Sequence, residues 1–155
     1  MKKSPMSEAI VEARKNLKTF HGGPFGACIT RNGKTIAITR NTVLKSKDPT
    51  CHAEINAIKK AAKILKTHDL KNCEIYSTTE PCPMCFSAIH WANIKKIYFG
   101  TKTNDVKKYF NELTISDSTL KRLGKSKVKL VPNHMLEECK KLLDDWGNIS
   151  KKPKY

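Results

Sequence analysis

Cys82, Cys85 and His52 are the residues of this chain whose types and spacing can do chemistry. Two thiolates and an imidazole form a zinc-type donor set, softer than the oxygen sets that suit magnesium or calcium. Three protein ligands leave one tetrahedral position for water, the arrangement of a catalytic centre. Zinc so held lowers the pKa of its water from 15.7 toward about 7, which supplies hydroxide near neutrality. Glu54 stands two residues after His52, well around a helix from it. That offset favours the open position over ligation, so its carboxylate can take the water's proton and pass it on. The Cys-x-x-Cys pair alone suits a structural zinc or a reactive thiol pair equally well; His52-Ala53-Glu54 tips the reading toward hydrolysis. Cys51, beside His52, reads as a small packed side chain.

The elements that must position these residues follow from pattern. Ser4-Pro5 pairs a cap with a first-turn proline and opens a helix whose Met6, Ala9, Ile10, Ala13 and Leu17 share a face. Gly22-Gly23-Pro24 breaks it. Strands are expected over 26–30 and 35–40, joined at Asn32-Gly33. Asp48-Pro49 repeats the cap-and-proline pattern and predicts a helix to about residue 66, with Ile55, Ile58, Ala62 and Leu65 facing inward. A strand over 74–78, a helix over 82–93 and a strand over 96–100 come next. Residues 101–126 read as loop plus a short helix, and 127–131 as a strand. Met135, Leu136, Cys139, Leu142, Leu143 and Trp146 keep the spacing of an amphipathic helix, before a polar tail. The alternation predicts an α/β domain with a central mixed sheet flanked by helices. Both halves of the metal site then fall in the first turns of helices, where unpaired N–H groups and positive potential favour thiolate over thiol.

Size and composition bound the rest. The 155 residues suit one domain over 1–155 that needs no disulfides to hold its core. No apolar run is long enough for a membrane helix, and Glu8, Glu12, Arg14 and Lys15 break any secretory stretch. A reduced, cytoplasmic setting is expected, with Cys28, Cys73 and Cys139 in the core. The net charge is +16, but only four of 30 basic residues are arginine and the lysines spread over the whole chain. That spread reads as surface solvation, with RNA binding as the alternative.

His-x-Glu followed by Pro-Cys-x-x-Cys is the pattern of zinc-dependent base deaminases. From near residue 4 to its end the chain resembles the purine and nucleobase deaminases of the cytidine/deoxycytidylate deaminase superfamily, and specifically their bacterial guanine deaminase branch. Asp48-Pro49-Thr50-Cys51-His52-Ala53-Glu54 and Glu80-Pro81-Cys82-Pro83-Met84-Cys85 carry the likeness. Gly22-Gly23-Pro24-Phe25-Gly26-Ala27, Ala88-Ile89-His90-Trp91-Ala92 and the terminal Lys152-Pro153-Lys154-Tyr155 point to that branch.

The resemblance implies a three-layer fold with a five-stranded mixed sheet, and one zinc per subunit on His52, Cys82 and Cys85. It also implies Glu54 as proton shuttle and a purine held by Asn41 and Phe25, with Trp91 in the substrate pocket. A homodimer is implied, in which residues 149–155 exchange and Tyr155 closes the partner's site. Phe25 reads equally as core, Asn41 as a turn cap, and His90 as pocket wall or core. The branch's second acid, in a Gly-Phe-Asp-Asp-like motif, meets Tyr109-Phe110-Asn111-Glu112 here; Glu112 is the replacement, Asp105 the weaker candidate. The implied reaction is guanine to xanthine and ammonia. A tRNA wobble adenosine deaminase, a cytosine or nucleoside deaminase, and a non-catalytic zinc protein are the alternatives.

Overall fold

The computed structural model describes residues 3–155. Ser4 caps helix α1 (Pro5–Arg14), its hydroxyl accepting from the Ser7 N–H at 3.2 Å. A one-turn helix α2 (Asn16–Thr19) follows and carries Leu17, which the sequence pattern had placed on α1. Strands β1 (Gly26–Arg31) and β2 (Lys34–Arg40) form an antiparallel hairpin. Asn32 and Gly33 both take positive φ, 51° and 71°, at its turn. Asn-Gly supplies that backbone at least cost.

One short turn, α3 (Val43–Ser46), precedes the zinc-site helix α4 (Ala53–Leu65). Strand β3 (Cys73–Thr79), helix α5 (Pro83–Trp91) and strand β4 (Lys96–Thr101) come next. Then follow α6 (Thr103–Val106), α7 (Asp117–Gly124), β5 (Lys129–Val131) and α8 (Leu136–Gly147). The sheet order is β2-β1-β3-β4-β5, with β1 antiparallel to its neighbours and β3, β4 and β5 parallel. Helix α1 packs on β1–β3 with α8 beside it, while α4 covers the other side of the same strands with α5 and α7. The core between them centres on the fully buried Ile29, Ile75 and Ile97. Each contributes about 1.5–3 kcal/mol by leaving water.

The zinc-site helix departs from expectation at its start and in its rotation. It begins at Ala53, not at Asp48-Pro49. Asp48 instead closes a turn, its Oδ1 accepting from the Thr50 N–H at 2.8 Å and the Thr50 hydroxyl at 2.6 Å. A short polar side chain that captures a backbone N–H two residues on competes with helix formation. The buried line is Ala53, Glu54, Ala57 and Ala61, whereas Ile55 and Ala62 are only half-buried. An apolar-stripe reading counts Glu54 as an outward residue; the site needs it inward. Three small alanines on that side let the helix approach the sheet closely.

The packing also sorts the acids. Helices α1 and α8 present Glu8, Glu12, Glu137, Glu138, Asp144 and Asp145. On the other face the acids of α4, α5 and α7 are Glu54 and Asp117, both buried, while Lys59, Lys60, Lys63 and Arg122 are exposed. The lysines are spread along the chain; the charge is not spread over the molecule.

Candidate active site

Two helix starts deliver the metal-type donors. His52 is the N-cap of α4 (φ −65°, ψ 157°) and Cys82 the N-cap of α5 (φ −66°, ψ 167°), both extended, with Cys85 one turn further on. The ligand atoms of the three lie within 4.8 Å of one another, and His52 Nδ1 is 3.6 Å from each sulfur. A tetrahedral ion at about 2.3 Å from sulfur and 2.0–2.1 Å from nitrogen places those atoms about 3.5–3.6 Å apart. The donor set and its spacing therefore fit zinc. The two thiols are electrostatically linked. The hydrogen bond from Cys85, opposed by burial and helped by His52, draws Cys82 down to about 4; the same bond and burial drive Cys85 up. Burial pulls the His52 imidazole down, but its bond to Cys82 and the nearby Glu54 charge outweigh that and raise it. A metal taken up here displaces those protons.

Glu54 lies in the same first turn as His52 and is 6% exposed. Its Oε1 is 2.7 Å from Ser77 Oγ, and Ser77 Oγ is 2.6 Å from the Thr79 carbonyl. One hydroxyl proton cannot serve both at full strength, and the carbonyl only accepts. Burial pushes this carboxyl upward, against the pull of His52. Its other oxygen accepts from the Cys85 thiol at 3.4 Å. The carboxyl is thus turned toward the metal donors without being grouped among them.

These groups form one end of a cavity of about 400 Å³. Phe25, Asn41, Glu112 and Tyr155 all line it. Asn41 is 2% exposed; its Oδ1 accepts from the Val43 N–H at 3.0 Å and from the Tyr155 hydroxyl at 3.1 Å. That leaves its Nδ2 without a bond among the described residues, a donor free for a ligand. Asn41 thus closes the turn before α3 and also lines the cavity. The Phe25 ring sits 5.1 Å from that of Phe110, which packs on Trp146 and Tyr155. Glu112 is raised by burial, with Cys82 adding and His52 opposing.

A profile described as the cytidine and deoxycytidylate deaminase zinc-binding region matches residues 1–101. The chain belongs to this deaminase family. It is 34% identical to the guanine deaminase of Bacillus subtilis over 154 residues, 97% of this chain and 96% of that protein. It is 38% identical to the tRNA-specific adenosine deaminase of Aquifex aeolicus over 141 residues, 88% and 89% of the two chains. The solved guanine deaminase of Nitrosomonas europaea superposes with a TM-score of 0.84 at 26% identity, over 94% of this chain and 84% of that one. The protein is thus a zinc-dependent aminohydrolase of the deaminase family, with the fold of its relatives.

Two residues expected in this deaminase's pocket lie elsewhere. Trp91 is the last residue of α5 and is 78% exposed, outside the cavity lining. The helix turns its ring outward beside His90, whose Nδ1 meets Ser126 Oγ at 2.9 Å on the surface rather than in pocket or core. Asp105 caps α6 by accepting from the Lys102 N–H at 2.8 Å, so Glu112 is the acid that reaches the site. Phe110, Leu113 and Val43 also line the pocket, though no periodicity marks them.

Sequence reasoning also missed Asp117. Its backbone N–H donates to Glu80 Oε1 at 2.9 Å, and both its carboxyl oxygens are buried without a partner among the described residues. Burial, with Glu80 and Glu54 adding, pushes it up to about 9.

Among the described residues no helix is long and apolar enough to cross a membrane.

Proposed function

We propose that the protein hydrolyses guanine to xanthine and ammonia, working as one domain over its whole length. The observation that carries this reading is the pairing of Glu54 with Glu112 in a single pocket beside the zinc donors. Replacing an amino group by oxygen moves protons in two places: off the attacking water, and onto the departing nitrogen. His52, Cys82 and Cys85 would hold the zinc, which would supply a water of lowered pKa. Glu54 is placed to accept a proton from the attacking water and return it to the ring nitrogen beside the reacting carbon. Glu112 handles the proton of the leaving amine, filling the place of the branch's altered acidic motif. Both carboxyls are raised by burial, which suits groups that must give protons back near neutrality. Asn41 Nδ2 donates to an acceptor on the purine, and Phe25 and Phe110 receive its faces.

A homodimer with exchanged tails is a further part of this proposal, carried by the family resemblance. Tyr155 reaches Asn41 and Gly23 within one chain. Exchange of residues 149–155 between two copies gives the identical wall in a dimer, and light scattering of full-length and tail-deleted protein tests it. Loss of dimer on deletion is expected; an unchanged mass removes the exchange.

The rival wobble-adenosine reading rests on the 38% identity to the Aquifex aeolicus tRNA-specific adenosine deaminase and on the α4–α5–α7 face, with exposed lysines and no exposed acid on those helices. The deciding experiment is ammonia release by zinc-loaded protein from guanine, guanosine, adenine, cytosine and cytidine, beside a tRNA anticodon stem-loop. Xanthine with an untouched stem-loop is expected. Inosine in the stem-loop with inert guanine overturns the assignment.

A further inference from the structure

The substrate-reading wall hangs on a side chain that touches no cavity, Asn16. It is fully buried, and its amide group has four partners within hydrogen-bonding distance. Its Nδ2 donates to the carbonyls of Gly23 and Asn41, each at 2.8 Å. Its Oδ1 accepts from Arg40 Nε at 3.0 Å and from the Thr19 hydroxyl at 3.2 Å. The amide orientation is unambiguous, because a guanidinium only donates and a carbonyl only accepts.

The two carbonyls it joins belong to the residues that hold Tyr155. Gly23 N–H donates to the Tyr155 hydroxyl, which donates in turn to Asn41 Oδ1. The loop has no slack there. A Cβ on Gly22 would lie 2.0 Å from Asn41 Oδ1, and one on Gly23 2.9 Å from the Tyr155 oxygen. Outside, Arg40 is braced by Glu12 and His21, and Glu12 by Lys15. A continuous chain of bonds therefore runs from the surface through Asn16 to the groups that face the base.

We propose that Asn16 is a positioning residue for base recognition, holding the Asn41 amide and the Tyr155 hydroxyl in register with the pocket. The role rests on the reading of this site as base-deaminating. It places Asn16 in binding rather than in the chemical step, because its own contacts end on Gly23, Asn41, Arg40 and Thr19, none of them a metal donor or Glu54.

The test is steady-state kinetics of zinc-loaded Asn16→Ala, alone and combined with Asn41→Ala. The expected result for Asn16→Ala is a rise in KM for guanine of roughly tenfold, with kcat within about threefold and zinc content unchanged. In the Asn41→Ala background the same substitution adds little, since both act on one contact. An unchanged KM overturns the proposal. So does a fall in kcat and zinc together, or full additivity with Asn41→Ala, because either marks a general structural role.

If Asn16→Ala does not fold, Arg40→Gln carries the test from the half-buried end. A KM rise of about two- to fivefold that vanishes in the Asn41→Ala background supports the role. No rise overturns it. Wild-type protein inert toward guanine defeats the functional reading alone. The same variants are then measured by calorimetric binding of 2,6-diaminopurine, the purine held by a structurally similar protein. Affinity reduced by Asn16→Ala supports the proposal, and unchanged affinity overturns it.

Discussion

The two walls of the pocket are built in opposite ways. The metal wall comes from two short segments, 52–54 and 82–85, each at the start of a helix. The base-reading wall draws on Asn16, Gly22, Gly23, Phe25, Asn41, Phe110, Glu112 and Tyr155, and its closing bond spans 114 residues of sequence. The difference lies in what each must position. A helix N-terminus is a rigid local frame, so ligands three residues apart can be set by the backbone of a single turn. Recognition of a flat ring needs donors and aromatic faces from several directions, and only separate chain segments can supply them. Reaction chemistry is therefore local in this protein, and specificity is not.

Substitutions on the two walls break or sharpen that contrast. On the metal wall, Glu54→Gln is expected to lower kcat by roughly 10²–10⁴-fold while zinc content stays at wild-type level, measured by ammonia release and metal analysis. Turnover at the wild-type rate would remove Glu54 from proton transfer. Glu112→Gln, where the walls meet, should cost kcat about 10²-fold with KM little changed. A purely KM effect would move Glu112 to the recognition side. Tyr155→Phe removes one hydroxyl from the base-reading wall, and a two- to tenfold rise in KM with constant kcat is expected. Equal losses in kcat would show that the walls are not separable.

The smallest effect on turnover belongs to Asp117, behind the metal wall. In the folded chain its carboxyl is raised to about 9, against about 3.9 in an unfolded chain. Between those values the folded state binds the extra proton, so stability is greatest below about pH 4 and falls as pH rises toward 9. Asp117→Asn should remove its share of that slope, to which Glu54 and Glu112 also contribute, and stabilise the protein at pH 8 by on the order of a few kcal/mol, with kcat near wild type. Denaturant unfolding at pH 5 and pH 8 measures it; a variant that keeps the wild-type slope would place the titration elsewhere.

Much of this was legible beforehand for stated reasons. Ser4-Pro5 predicted the first helix because cap and proline act within one turn. Asn32-Gly33 predicted the hairpin because few residue pairs accept two positive φ angles. Asp48-Pro49 misled because a side chain that caps a helix can equally close a turn, and the choice is made by where His52 must arrive. The inner face of α4 was read in part: Ile58 and Leu65 pack on the core as expected, but the deepest line is Ala53, Glu54, Ala57 and Ala61, because small alanines let the helix approach the sheet closely. Trp91 was placed in the pocket from neighbouring sequence, but three-residue periodicity on α5 does not say which side meets the cavity. Asp117 gave no signal, since an acid in a first helical turn ordinarily faces water.

Taken residue by residue, the sequence alone determined the zinc donors, the placing of Glu54 beside them and the alternating α/β order. All of these depend on interactions within a few residues. Tertiary structure decided that Glu112 and not Asp105 lines the cavity, which aromatics wall the pocket, and how Asn16 ties Asn41 to Tyr155. It also decided that the acids of α1 and α8 stay at the surface while those of α4 and α7 are buried. Those outcomes depend on distances between segments far apart in the chain, which packing of the sheet and its two helical layers sets and local pattern does not encode.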